Sequence, residues 1–141
     1  MLAMVLVAGA ATAAQRPYPV YTEYHLDRTM TVVGRNFAGG TASLADGDVV
    51  TAKQRFARTR EQIAVSITFW RHHEKDDAIL MLRSVIDKLD ELDAALSATP
   101  VEAVAVTVLA DQTRAACETC HAVYRDKDPT TEGYRLKPGS V

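Results

Sequence analysis

The chain has 141 residues, enough for one domain of ordinary size. Hydrophobic residues make up 48% of it and charged residues 24%, which is typical of a globular protein and excludes a disordered or collagen-like chain. The 16 Lys and Arg against 18 Asp and Glu give a net charge of −2, so the sequence lacks the basic field of a nucleic-acid-binding protein.

Residues 1–14 carry no charged side chain and predict a secretory signal peptide. The apolar stretch from Leu2 to Ala8 is followed by small residues that supply a cleavage site, and it is too short to span a bilayer. We therefore expect an exported, periplasmic bacterial protein whose mature chain has no membrane span. A buried or membrane-anchoring N-terminal helix is the alternative.

The first helix is predicted from about Thr22 to Leu44. Apolar and small residues recur there in alternating steps of four and three, which is the period of a helix that packs along its length against its neighbours. The residues of this seam are Leu26, Met30, Val33, Phe37, Gly40 and Leu44. The polar Asp46-Gly47-Asp48 interrupts the pattern and predicts a turn.

A second and a third helix follow. The second has an inward face made of Val49, Ala52, Phe56, Ile63 and Ile67. We expect it to end before a polar break from Trp70 to Lys75. The third runs from about Asp76 to Ser97 and has an inward face made of Ile79, Leu82, Ile86, Leu89, Leu92 and Leu96. The second helix also carries a cationic run, made of Lys53, Arg55, Arg58 and Arg60. We interpret this run as a solvent-exposed face rather than as a docking site for an acidic partner.

The fourth helix is predicted to begin at a capping box, with Thr99 as N-cap, Pro100 at the first helical position and Glu102 at the third. Its apolar side is read as Val101, Val104, Ala105, Val108 and Leu109. Four amphipathic helices with short connections predict an all-α fold, an antiparallel four-helix bundle, over residues 15–125.

Both cysteines lie in the segment Cys117-Glu-Thr-Cys120-His121, near the end of the fourth helix. Helix residues three apart are neighbours on one turn, so the two sulfurs can reach the two vinyl groups on one edge of a haem. The imidazole of His121 can then turn beneath the macrocycle and bind the iron. C-x-x-C-H is the c-type haem attachment signal, and it predicts one covalent haem c with its iron.

Two other interpretations of the cysteine pair fit less well. A thioredoxin-type motif needs a preceding strand and a helix N-terminus that lowers the thiol pKa, whereas this pair lies late in a helix. A zinc site needs further ligands, and His72 and His73 are adjacent residues of a predicted loop that rarely converge on one metal.

Residues 126–141 form a tail with two prolines, two glycines and no apolar period. This pattern argues against a helix, and no run of the chain alternates for long enough to predict a strand. The sequence leaves open whether Tyr134, Arg135 and Leu136 fold back onto the bundle.

A last helix that carries Cys117-Glu-Thr-Cys120-His121-Ala-Val-Tyr124-Arg125 resembles the class II cytochromes c, which include cytochrome c prime and its low-spin relatives. Their C-x-x-C-H-x-x-[YF]-R element lies near the C-terminus, whereas class I cytochromes c carry the motif near the N-terminus. The likeness covers roughly residues 22–125. It implies that His121 is the proximal iron ligand and that Arg125 borders the proximal pocket. A solvated arginine at a helix C-terminus is the alternative for Arg125.

Met30 is the candidate for the second iron ligand. Apart from the signal segment, Met30 and Met81 are the two methionines, and only Met30 lies on an inward seam. By spacing alone, a Met at such a position is ordinary core packing. The segment from Met30 to Phe37 resembles the family's distal helix, and this likeness implies that Met30 binds the iron as in the low-spin members. His25 lies about 140° around the helix from Met30, so the two cannot both face the iron. A haem with two histidine ligands is the alternative if the register of this helix differs.

These observations lead us to expect a one-electron carrier that exchanges electrons with redox partner proteins and has no catalytic residues. Dimers are common in the family that the chain resembles, and the helix faces leave open whether this chain forms a homodimer. The alternative is a five-coordinate haem protein that binds NO or CO, with Met30 not coordinating. A peroxidase is less favoured, because the sequence places no His/Arg pair over the haem.

Overall fold

The computed structural model describes residues 22–141, so the segment predicted to be a signal peptide lies outside the described residues. The elements are α1 Glu23–Ala45, α2 Val49–His72, α3 Asp76–Ser97, α4 Ala103–Tyr124, β1 Arg125–Lys127 and β2 Tyr134–Leu136. Each helix packs against the next one in the chain, and the connections between consecutive helices are short. The predicted all-α, four-helix bundle is confirmed. Within residues 22–141, no helix is long and apolar enough to cross a lipid bilayer.

The inward faces of α1, α2 and α3 are those predicted. On α1, the seam residues Leu26, Val33 and Gly40 are buried, and the rest of the seam is half-buried and packs against the core. At Gly40 the backbone of α1 comes very close to α2, because an added Cβ would lie 2.9 Å from two ring carbons of Phe56. Phe56 is fully buried, so α1 and α2 depend on this glycine for their close approach.

The turn between α1 and α2 lies where Asp46-Gly47-Asp48 predicts it. Gly47 has a φ of 74°, a left-handed conformation that suits glycine. The N–H groups of Gly47 and Asp48 donate to the carbonyls of Leu44 and Ser43 and close the end of α1. Asp48 then caps α2, since its Oδ1 accepts from the N–H of Thr51 at 3.0 Å.

Two members of the cationic run on α2 pair with acidic residues on α3. The guanidinium of Arg60 donates two hydrogen bonds to the carboxylate of Asp90. The Nζ of Lys53 lies 3.7 Å from Asp93. These side chains are about half exposed, so each pair contributes about 0.2–1 kcal/mol, and the run is in part an inter-helix contact.

The predicted break from Trp70 to Lys75 is confirmed, but its start is wrong, because α2 continues to His72. Trp70 is buried, and its ring packs against Phe69 at 5.1 Å and against Tyr124 at 4.5 Å between ring centroids. Trp70 extends the inward face of Ile63 by two turns. The burial of a large aromatic side chain therefore outweighs the polar residues that follow it.

The predicted capping box on α4 is also wrong. Glu102 is the N-cap, it makes no side-chain capping hydrogen bond, and the helix begins at Ala103. Thr99 and Pro100 lie in the connection, and Val101 packs from there against the core. The backbone of Glu102 is extended, so α4 begins later than the local sequence favours.

The inward face of α4 differs from the predicted one. Its buried residues are Val106, Ala110, Thr113, Cys120 and Tyr124, whereas Val104 is 79% exposed and Val108 is 49% exposed. The seam was missed because it includes the polar Thr113. The hydroxyl of Thr113 donates to the carbonyl of Leu109 at 2.8 Å, so its burial leaves no unpaired polar group and costs little free energy.

The tail folds back as an antiparallel hairpin, in which Arg125 pairs with Leu136 and Lys127 with Tyr134. Two hydrogen bonds from Lys137 tie the end of the hairpin to α4: the backbone N–H donates to the carbonyl of Tyr124 at 2.9 Å, and Nζ donates to the carbonyl of Ala122 at 2.6 Å. These strands were not predicted, because three residues are too few to show an alternation of apolar and polar side chains.

We predict that Gly40→Ala lowers the free energy of unfolding by about 1–2 kcal/mol, because overpacking against the buried ring of Phe56 exceeds the gain in helix propensity. Gly39→Ala is the matched control. A Cβ there would meet only the flexible end of the Arg55 side chain, and we expect a gain of up to about 1 kcal/mol. Urea unfolding of both variants measures the difference, and equal effects would contradict the close approach at Gly40.

Candidate functional site

A cavity of about 770 Å³ lies between α1 and α4. Side chains of α2 and α3 also line it, and the C-terminal hairpin forms a further side. This volume lies within the range of sites that enclose a cofactor-sized ligand. The lining is mostly apolar, with charged groups that include Arg114, Arg125 and Arg135.

The α4 wall of the cavity carries the C-x-x-C-H motif. Cys117, Cys120 and His121 all line the cavity; Cys120 is buried and the other two are half-buried. Both cysteines are free. Helical spacing therefore presents two thiols and an imidazole to one space, as the sequence predicts.

The α1 wall carries Met30, which is half-buried and lines the same cavity. Gly34 follows one turn later, and an added Cβ there would meet nothing within 4 Å, so the wall is open beside Met30. Met81 and His25 are not among the lining residues. The structure thus brings the predicted site residues Met30, Cys117, Cys120, His121 and Arg125 to one cavity.

The two thiols have unusually high pKa values. Burial raises the pKa of Cys117 to about 11, with a smaller effect from Glu118. Burial also raises the pKa of Cys120 to about 11, with smaller effects from Cys117 and Asp77. Oxidoreductase C-x-x-C motifs have lowered thiol pKa values, so these cysteines lack the electrostatic signature of a thioredoxin-type pair.

The imidazole of His121 is neutral at pH 7. Burial lowers its pKa to about 4, and the positive charge of Arg125 contributes in the same direction. A neutral imidazole offers a nitrogen lone pair to a metal. The guanidinium of Arg125 itself lies over the ring of Tyr134, 4.2 Å from its centroid.

Trp70 also lines the cavity and was not predicted as a site residue. Its indole Nε1 is buried and has no hydrogen-bond partner among the described residues. An unpaired buried donor costs free energy, and an acceptor on a group bound in the cavity would remove that cost. The available signal was that Trp70 is the one tryptophan of the chain and lies seven residues after Ile63, on the inward face of the second helix.

Tyr124 anchors the α4 wall to α3. Its hydroxyl donates to both carboxylate oxygens of Asp77, at 2.7 and 2.8 Å. This bond lowers the pKa of Asp77. Burial and the bond to Asp77 raise the pKa of Tyr124 to about 12. The pair therefore fixes the end of α4 that bears His121.

The chemistry of the lining fits a haem c. One wall offers two thiols and a neutral imidazole, the opposite wall offers a thioether, and the space between them is largely apolar. The indole N–H of Trp70 and the arginines of the lining would suit the carboxylates of such a group.

The part of the chain that the structure describes shows no cluster of side chains that could bind a metal ion directly. Residues 22–141 contain no group of three or more His, Cys, Asp or Glu placed to hold one. His72 and His73, named for the zinc interpretation, are not among the residues that line the cavity.

Comparison of the chain with protein-family models, with curated proteins and with solved structures gave no match in any of the three.

We predict that wild-type protein loses stability from about pH 10 to about pH 12 more steeply than Tyr124→Phe. An unfolded tyrosine ionises near pH 10, whereas folded Tyr124 keeps its proton to about pH 12, so the unfolded state binds fewer protons in this interval and the free energy of unfolding falls. Urea midpoints across this range measure the slope. Tyr24→Phe, at an exposed position, is the control and should keep the wild-type slope.

Proposed function

We propose that the protein is an exported monohaem c-type cytochrome that carries single electrons between redox partner proteins in the periplasm. The observation that carries this proposal is the convergence of Cys117, Cys120, His121 and Met30 on one cavity from opposite helices. The resemblance of the motif to that of the class II cytochromes c supports the same function.

Each residue has a distinct part in this proposal. Cys117 and Cys120 would hold the haem through thioether bonds, which prevents loss of the cofactor outside the cytoplasm. His121 would bind the iron from the α4 side, with its neutral imidazole. Met30 would bind it from the α1 side. The haem, when bound, supplies a one-electron iron couple.

The surroundings of the cavity suit electron transfer better than catalysis on a substrate. If His121 and Met30 both held the iron, no position on it would remain for a substrate, and the thioether of Met30 would favour a higher reduction potential. The walls are parts of long, well-packed helices, so a change in charge at the iron would reorganise little of the protein. No acid, base or nucleophile is needed from the chain.

Binding of NO or CO is the second candidate function, and the open space at Gly34 favours it. A diatomic ligand would have room beside residue 30 if Met30 packed over the iron without binding it. The two functions differ in a single bond, that between the iron and Met30.

We predict that protein produced in cells competent for haem c attachment carries the mass of one haem after denaturation in acid. Cys117→Ser with Cys120→Ser should abolish this added mass, because no thiol remains to form a thioether. Thr119→Ser is the control. Thr119 lies between the two cysteines and is exposed, so this variant should retain the haem. Intact-mass spectrometry makes the measurement, and a wild-type chain without haem would refute the proposal.

We predict that Met30→Ala converts a low-spin haem into a high-spin haem of lower potential that binds carbon monoxide when reduced, because the variant loses the thioether ligand. Met81→Ala is the matched control: Met81 is also half-buried, but it lies on α3 away from the cavity lining. Absorption spectra and redox titration give the comparison. An unchanged low-spin spectrum in Met30→Ala would remove Met30 from the site, because another group would then have to occupy its place on the iron.

A further inference from the structure

The C-terminal hairpin, residues 125–136, connects the two walls of the cavity. The extensive helix contacts are α1 with α2, α2 with α3 and α3 with α4, whereas α1 and α4 face each other across the cavity. The strand β1 continues directly from α4, and β2 contacts α1. The hairpin therefore spans the side of the bundle that the helices leave open.

Side-chain contacts hold the hairpin in this place. The guanidinium of Arg125, at the end of α4, lies 4.2 Å from the ring centroid of Tyr134 on β2. Leu136 is half-buried and packs against the core, and both Tyr134 and Leu136 line the cavity. The turn is closed by the N–H of Asp128, which donates to the carbonyl of Gly133 at 3.1 Å.

We propose that the C-terminal hairpin holds α1 at its distance from α4 and thereby decides whether a small gas can reach the cofactor. This inference rests on the proposed function, because it takes Met30 as the iron ligand. Met30 lies on α1 and His121 on α4, so a change in the spacing of these helices acts on the bond between Met30 and the iron. A closed hairpin favours the electron carrier, and an open one exposes a binding position.

The contacts that close the hairpin are individually weak. The cation–π contact at Tyr134 stabilises the closed hairpin only weakly, because Tyr134 is half exposed. Its loss should therefore raise the population of the open form by only about fivefold. The open form admits a ligand that the closed form excludes, so binding should accelerate in proportion to its population.

The experiment uses the full-chain holoprotein with Tyr134→Ala and Leu136→Ala. Tyr134→Phe is the matched control, because it keeps the ring beneath Arg125 and removes only the hydroxyl. Two measurements are made on each protein. The first is the rate at which the dithionite-reduced form binds carbon monoxide, and the second is hydrogen exchange of the amides of α1 around Met30.

We expect Tyr134→Ala to bind carbon monoxide about fivefold faster than wild type and to exchange the α1 amides faster by a similar factor. Leu136→Ala should change both rates in the same direction, and Tyr134→Phe should leave both unchanged. Faster exchange in the hairpin alone, with α1 and carbon monoxide binding as in wild type, would overturn the inference. If wild type already binds carbon monoxide at once, the proposed ligation by Met30 fails. Exchange at α1 then still shows whether the hairpin holds that helix.

Discussion

The gap between α1 and α4 is the constraint on which the rest of the molecule depends. A four-helix bundle normally closes this side by packing its first helix on its last, but here the two helices face a cavity of about 770 Å³. The tight contact of α1 with α2 at Gly40 and the anchoring of α4 to α3 through Tyr124 and Asp77 keep each wall on its neighbour. The gap is thus maintained from both sides.

The spacing of residues on α1 and α4 turns this gap into a site. On α1, the alternation of four and three places Met30 and Phe37 on the cavity side of the same seam that carries the core residue Val33. On α4, the same alternation continues from Thr113 through Cys117 and Cys120. Residues that serve the core and residues suited to a cofactor therefore share one helical register, and the core positions the site.

The sequence predicted the parts of the structure that repeat with the helical period and missed those that depend on contacts distant in the chain. The seams of α1, α2 and α3 were predicted because each carries five or more regularly spaced apolar residues. The face of α4 was predicted wrongly for two reasons. Valines are apolar whether they are buried or exposed, so their positions misled the prediction. Thr113 is polar but buried, because its hydroxyl makes a local hydrogen bond. Trp70 and the C-terminal hairpin are fixed by packing against Tyr124 and α1, which no local pattern encodes.

The candidate site was more predictable than the fold around it. Cys117, Cys120 and His121 lie within five consecutive residues, so their common position follows from helix geometry alone. Met30 lies 87 residues before Cys117 and needed both the seam and the family resemblance to be named. The orphaned indole of Trp70 could not be foreseen, because an unpaired donor is a property of the folded chain.

The most direct test of this account is the absorption spectrum of the purified holoprotein, oxidised and dithionite-reduced, with and without carbon monoxide. The account predicts sharp, separate α and β bands on reduction, a weak far-red band from sulfur bound to iron on oxidation, and no immediate response to carbon monoxide. A broad high-spin spectrum that shifts at once with carbon monoxide would contradict ligation by Met30. The absence of any haem spectrum, in protein from cells competent for haem attachment, would contradict the account as a whole.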